Sequence, residues 1–255
     1  MPAVQTIDDV ILALTGMIQV CTDEKSRLGY FPALYRRVTK RVNEGIGAGR
    51  FEDGGRMQRL DVTFANRYLG AWECWRAGRP VTASWRVAFE AGSRWRPVIL
   101  QHLLTGMNAH INLDLAIAAA TVCPGAEIQG LKNDFDEINQ LLSELVNPVE
   151  QELAQVSPWI GLIETFGGHA EDRVLSFGMQ EARDLAWTNA VRLALLQENS
   201  ERDHAIQDMD CAVEVLGRLT VHPGPMLRSG LLLVRMREES NAVKVIAALT
   251  QPISP

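Results

Sequence analysis

Apolar side chains recur along this chain every three or four residues, the spacing that gathers them on one face of a helix. Ile7, Val10, Ile11, Leu14, Met17, Ile18 and Cys21 mark the first such stretch. Thr6 reads as its N-cap, with Asp8 and Asp9 where the helix dipole favours negative charge. A second helix is expected over 31–43, with Pro32 near its start. Its apolar stripe is Ala33, Leu34, Val38 and Val42, and its basic face is Arg36, Arg37, Lys40 and Arg41. A glycine-rich loop follows over 45–55. The pattern then predicts a third helix over 56–75 and a short fourth one, capped by Thr82 or Ser84, through Glu90.

The stretch 97–123, PVILQHLLTGMNAHINLDLAIAAATVC, stands apart. It is long enough for about seven helical turns, and Asp114 is its only formally charged side chain. A surface helix would carry charge along its outer face, and a plain core helix would lack the polar cluster present here. It is expected to be a buried central helix with polar groups turned into the protein. Downstream, helices are expected over 131–146, 171–197 and 203–219, with Pro148, Pro158, the Gly167–His169 turn and the run from His222 to Pro225 as punctuation. An apolar run over 231–234 and a short helix over 242–249 complete the chain. With no convincing alternation of period two, the expected fold is all-α. It is a single-domain helical bundle of eight to ten helices around the central one, spanning 1–255.

Composition changes this picture little. The 255 residues are 47% hydrophobic and 22% charged, ordinary for a globular chain able to bury a sizeable core. The net charge of −6 offers no basic footprint for nucleic acid. Four widely spaced cysteines suit reduced thiols better than a disulfide framework. The first ten residues lack the basic and apolar regions of a secretory signal, and the histidines, asparagines and aspartate of the central helix make it a poor membrane span. A cytoplasmic protein is therefore expected.

The chemistry is expected on the central helix. At about 100° per residue, His102, Gly106, His110, Leu113, Asp114 and Ile117 share one arc. Gln101, Thr105, Asn108 and Asn112 form a second column. His110 and Asp114, four apart, are neighbours on the helix surface, whereas His102 lies about 12 Å from His110 along the axis. Two readings of the pair compete. Both residues ligate one divalent metal ion (zinc, iron or manganese), completed by ligands such as Asp61, Asp53, His169 or Glu164 and activating water for hydrolysis. Otherwise Asp114 orients His110 as a general base, with His102 as complementary acid or second polar anchor. Asp61, Asn66, Tyr68, Asn108 and Asn112 are the candidates for holding a small, partly apolar organic substrate. The alternative is a non-enzymatic ligand-binding protein in which the polar column only fixes how helices pack. The tryptophans 72, 75, 85 and 95 are read as core first and as a ligand wall second. The glycine-rich loop lacks the ending of a phosphate-binding loop and is read as a turn.

Several of these runs are familiar together. LGYFPALYRRVT (28–39), RMQRLDVTFANRYLGAW (56–72), LQHLLTGMNAHINLDLAIAAA (100–120) and EARDLAW (181–187) resemble a bacterial family catalogued as domain of unknown function family 5995, over about 28–220. The resemblance carries over Gln101, His102, Gly106, Asn108, His110, Asn112 and Asp114 from one string, and Asp61, Asn66, Arg67 and Tyr68 from another. It implies a bacterial source and a setting in small-molecule biosynthesis, and it names no activity.

Overall fold

The computed structural model describes residues 3–157 and 170–251. Among them the chain is all helical, with eleven α-helices and no strand. In chain order these are α1 (Ile7–Asp23), α2 (Tyr30–Gly47), α3 (Gly54–Arg76), α4 (Ala83–Ser93), α5 (Ile99–Ala109), α6 (Ala116–Val122), α7 (Lys132–Val156), α8 (Ala170–Leu195), α9 (Asn199–Val221), α10 (Pro225–Arg235) and α11 (Ala242–Leu249). A π-helical turn, His110–Leu115, joins α5 to α6 without a break in the helix. The central helix is thus α5, this turn and α6, and it meets the following segment at 112° beyond Cys123 and Pro124. No single helix among the described residues is long and apolar enough to cross a membrane.

The central helix lies between two buried apolar clusters. Ile99, Leu103 and Ala109 face a cluster built from α1, α2, α3, α4 and α11, including Leu14, Tyr30, Tyr68, Trp85 and Ile246. Leu113, Leu115 and the run Ala116 to Ala120 belong to the other, with Met57, Leu60, Phe135, Ala186, Leu193 and Met209. The first half of the helix thus packs in one cluster and the second half in the other, and the π turn sits where it passes between them.

Local signals account for several helix ends. Thr6 accepts from the Asp9 amide at 3.1 Å, and Asp9 accepts from the Thr6 amide at 3.1 Å, a reciprocal cap that holds the first turn of α1. Asp53 caps α3 through the Arg56 amide at 2.8 Å. Long-range partners cap others. Asp210 of α9 accepts from the Ala83 and Ser84 amides at 2.7 and 2.9 Å, so α4 takes its cap from a distant carboxylate rather than from Thr82 or Ser84. The start of α5 is closed by Glu238, which accepts from the Ile99 amide at 3.1 Å, and by Gln101, which accepts from the Val98 amide at 2.9 Å. The backbone amides of Glu52 and Asp53, in the glycine-rich loop, are held at 2.6 and 3.2 Å by the buried carboxylate of Asp134.

Some expectations need correction. Pro148 does not end the seventh helix: α7 runs on to Val156, because packing against α2 and α11 outweighs the single hydrogen bond a proline forfeits. The run over 231–234 belongs to a helix of its own, α10, opened by Pro225 at its first turn. The Pro158 break and the turn at 167–169 lie outside the described residues.

A close approach fixes α2 against the central helix. A Cβ at Gly106 would stand 2.6 Å from two ring atoms of Phe31, so only glycine lets that ring lie on the helix. At Gly70, on α3, a Cβ would meet nothing within 4 Å. The same substitution should therefore act in opposite directions. Gly106→Ala should lower stability by about 1 kcal/mol or more through overpacking, whereas Gly70→Ala should raise it by about 0.5–1 kcal/mol. Denaturant unfolding of both variants checks this, and a stabilised Gly106→Ala would disprove the close approach.

Candidate functional site

The π turn carries His110, Asn112 and Asp114, all buried. A π turn holds one more residue than an α turn and is common where a helix carries a functional group. Asp114 is 1% exposed, and each of its oxygens is engaged. Oδ1 accepts from Arg67 Nε of α3 at 2.7 Å, and Oδ2 accepts from the Trp85 indole of α4 at 2.8 Å. Oδ2 also lies 3.4 Å from His110 Nδ1. Arg67 supplies the balancing charge, and the indole supplies a neutral donor that needs no counter-ion.

His110 sits in an aromatic cage. Its ring lies flat on Phe64, with centroids 3.6 Å apart and planes at 8°. Tyr35 is 4.5 Å away and Phe31 5.6 Å away, both edge-on. Burial pushes the imidazole pKa below its usual range; Asp114 works against that shift and Arg67 adds to it. The ring is therefore neutral near pH 7. A neutral ring whose Nδ1–H donates to Asp114 keeps its lone pair on Nε2. That Nε2 is buried and has no hydrogen-bond partner.

His110 lines a cavity of about 140 Å³ between α2, α3, the central helix and α7. Its walls are mostly Leu, Val, Ile, Met and Phe, and four polar residues interrupt them: Tyr35, Asp61, His110 and Arg183. Three of these four carry a buried polar atom without a partner, namely Tyr35 Oη, Asp61 Oδ2 and His110 Nε2. Burial raises the Asp61 carboxyl to about 7, so it is half protonated near neutrality. Burial also holds the Tyr35 phenol well above its usual value, and the nearby Asp61 adds to this. Among the described lining residues there is no Ser, Thr, Cys or Lys. The arrangement offers proton donors and acceptors among apolar walls, without a Ser, Thr, Cys or Lys nucleophile among the described lining residues.

The remaining candidates lie elsewhere. His102 lines a separate void of about 20 Å³, and Phe31 lies between the two spaces, lining both. The His102 pKa is pushed down to about 3, mainly by burial, and its ring packs edge-on to Tyr30 at 5.7 Å. It is not an acid partner within the His110 cavity. Asn66 pairs both ways with the backbone of Val4, at 2.9 Å each. Asn108 donates to the Val213 carbonyl of α9 at 2.8 Å, and Asn112 donates to Asn108 Oδ1 at 2.9 Å. The amide column thus faces α9, away from the cavity. Tyr68 stacks on Trp85 at 4.8 Å and buttresses the indole that holds Asp114. Trp72, Trp75 and Trp85 surround Phe89 in the core, and Trp95 is half exposed. None of the four tryptophans lines the cavity.

His110 and Asp114 do not offer one metal ion a free donor each. Both Asp114 oxygens are engaged, and His110 turns Nδ1 toward the same carboxylate. Among the described residues no three His, Cys, Asp or Glu side chains converge. Glu164 and His169 lie outside the described residues. Tyr35 and Arg183 were missed by sequence reasoning, although each sits in a run that carries the family resemblance.

Residues 7–223 match the Family of unknown function (DUF5995). The chain belongs to this family. The match begins with α1, well before residue 28, and takes in every cavity residue named above. No curated protein and no solved structure matches the chain.

Asp61 gives this site a pH signature. Its folded-state pKa of about 7 stands above the ordinary aspartate value of 3.8, so the folded protein holds a proton that the unfolded chain has lost. Stability from this group is complete below about pH 4 and is lost as pH rises toward 7. His102 and His110 act with the opposite sign, so the test is a difference. The stability of wild type relative to Asp61→Asn should grow by up to about 4 kcal/mol as pH falls from about 7 to 4. Parallel unfolding curves across that range would remove the buried-acid assignment.

Proposed function

We propose that this protein is a cofactor-free general acid–base enzyme acting on a small, largely apolar organic molecule held in the His110 cavity. The observation that carries the reading is the bare, buried Nε2 of His110 lining the same cavity as two further unpartnered proton-exchanging groups, Asp61 and Tyr35. Perturbed titratable groups in an apolar pocket are the usual mark of an active site.

In this reading His110 Nε2 takes a proton from the substrate. Asp114 stabilises the imidazolium that forms, and Arg67 and Trp85 hold Asp114 still. Asp61, half protonated near neutrality, returns a proton elsewhere on the substrate or donates to a developing oxyanion, with Tyr35 beside it. The favoured reaction class is proton transfer next to a carbonyl, as in isomerisation or enolisation, because the described lining supplies acids and bases and no Ser, Thr, Cys or Lys.

The test is solvent exchange. Purified protein in deuterium oxide is incubated with a panel of small ketones, aldehydes and 2-oxo acids, and NMR follows loss of the proton next to the carbonyl. Catalysed exchange of at least one compound is expected, falling about 10²–10⁴-fold in His110→Gln. Exchange that survives His110→Gln would remove the base assignment. Binding of the panel without exchange, unchanged in His110→Gln, would favour a ligand-binding protein instead.

A further inference from the structure

Arg183, on α8, is a buried cation at the edge of this cavity. It is 4% exposed. Its Nε donates to Asn139 Oδ1 and its Nη2 to the Phe135 carbonyl at 2.8 Å, while the guanidinium carbon stands 4.6 Å from the Phe135 ring centroid. Every one of these partners is neutral. Asp136 and Asp184 act on it only at a distance, and Asp136 is paired with Lys132 at 2.5 Å. Among the described residues no carboxylate forms an ion pair with Arg183. Burial lowers its pKa to about 10, which leaves it charged near neutrality.

A buried charge without a counter-ion is costly, and proteins either pair it or keep it for a ligand. Asp61, the one carboxylate of the lining, does not fill this role. The two groups form no ion pair: Arg183 hydrogen-bonds to Asn139 and Phe135, and the Asp61 shift comes from burial. The polar groups of the lining come from different elements: Tyr35 from α2, Asp61 from α3 and His110 from the central helix, with Arg183 from α8 and apolar side chains making up the rest of the wall.

We infer that the molecule this cavity accepts is a small monocarboxylate, its carboxylate paired with Arg183 and its apolar body reaching toward His110. With Nε and one Nη2 proton taken by Asn139 and Phe135, a carboxylate would meet the guanidinium through Nη1 and the remaining Nη2 proton, a planar edge that matches it in shape and charge. A single arginine among apolar walls suits one negative charge better than the two of a phosphate ester. About 140 Å³ is close to the size of a cavity that takes a benzene ring, which limits the ligand to about six to ten non-hydrogen atoms. The chemistry after binding rests on the acid–base reading, but the binding step stands apart from it. Arg183 is then a positioning residue that sets which carbon of the substrate lies beside Nε2.

Matched pairs of probes test this: benzoate against benzamide and hexanoate against hexanamide, titrated calorimetrically into wild type, Arg183→Met, Arg183→Lys and His110→Gln. Wild type should bind at least one carboxylate about tenfold or more tightly than its amide. Arg183→Met should abolish that preference while leaving the amide affinity within about threefold, and Arg183→Lys should keep part of it. Should Arg183→Met fail to fold, the wild-type preference and its reduction in Arg183→Lys still decide the matter. Equal binding of acid and amide by wild type, no binding of either, or a preference unchanged in the Arg183 variants would overturn the inference. His110→Gln separates the two ideas. It should keep the carboxylate preference, so a preserved preference together with exchange insensitive to His110 would remove the general base and leave the anion site standing.

Discussion

The site depends on one buried carboxylate. Asp114 brings a negative charge into an apolar core, where desolvation costs several kcal/mol before any partner is counted. The protein meets that cost from three directions: Arg67 from α3, Trp85 from α4 and His110 from its own turn. Each partner fixes something. Arg67 ties α3 to the central helix, Trp85 ties α4 to it, and the imidazole is held in one tautomer. The π turn lets the helix present His110 and Asp114 together while its flanks pack into two different apolar clusters. Without Asp114 the indole and guanidinium would lose a common acceptor, and the imidazole would lose its orientation.

The same device recurs through the rest of the molecule. Asp134 gathers the amides of the glycine-rich loop and pairs with Arg56 at 2.6 Å. Asp210 closes α4, and Glu238 closes α5 while accepting from Ser157 Oγ at 2.6 Å. Carboxylates placed at helix starts satisfy amides that the helix itself cannot, and they favour the positive end of its dipole. Acidic residues far apart in the chain thus act as joints between helices, which is why so many caps come from another element.

Much of the fold was legible because helical periodicity is local. The stripes of α1, α2, α3 and α7 can be read directly, and the uncharged central stretch announced its own burial. What escaped were effects decided by distant partners. Pro148 is a breaker in isolation but is held helical by the contacts of α7, and the cap of α4 resides in Asp210, more than a hundred residues away. The site was half legible for a related reason. A spacing of four does bring His110 to Asp114. Placing His102 on the same arc could not reveal that the Phe31 ring, resting on Gly106, divides the interior between the two histidines. The amides of Asn108 and Asn112 looked like substrate ligands until the carbonyl of Val213 came within reach. Tyr35 and Arg183 gave no signal of their own, since an arginine on a helix is ordinarily a solvated one.

Unpaired polar groups mark the site by where they gather. A buried polar atom without a partner costs about 1–3 kcal/mol, so a core tolerates few of them. Arg36, Arg56 and Arg235 each leave one nitrogen unbonded yet bond through another, and His102 Nε2 and Asn112 Oδ1 are unpartnered away from the cavity. At the cavity such atoms converge. Tyr35 Oη, Asp61 Oδ2 and His110 Nε2 are unpartnered around one cavity, and the buried charge of Arg183 borders the same cavity. A core selected for stability alone would fill that volume with methyl groups and dispense with all four. Retaining them together, in a chain that satisfies its other buried carboxylates so thoroughly, is understandable if a bound molecule completes the hydrogen bonds and the charge balance that the protein leaves open.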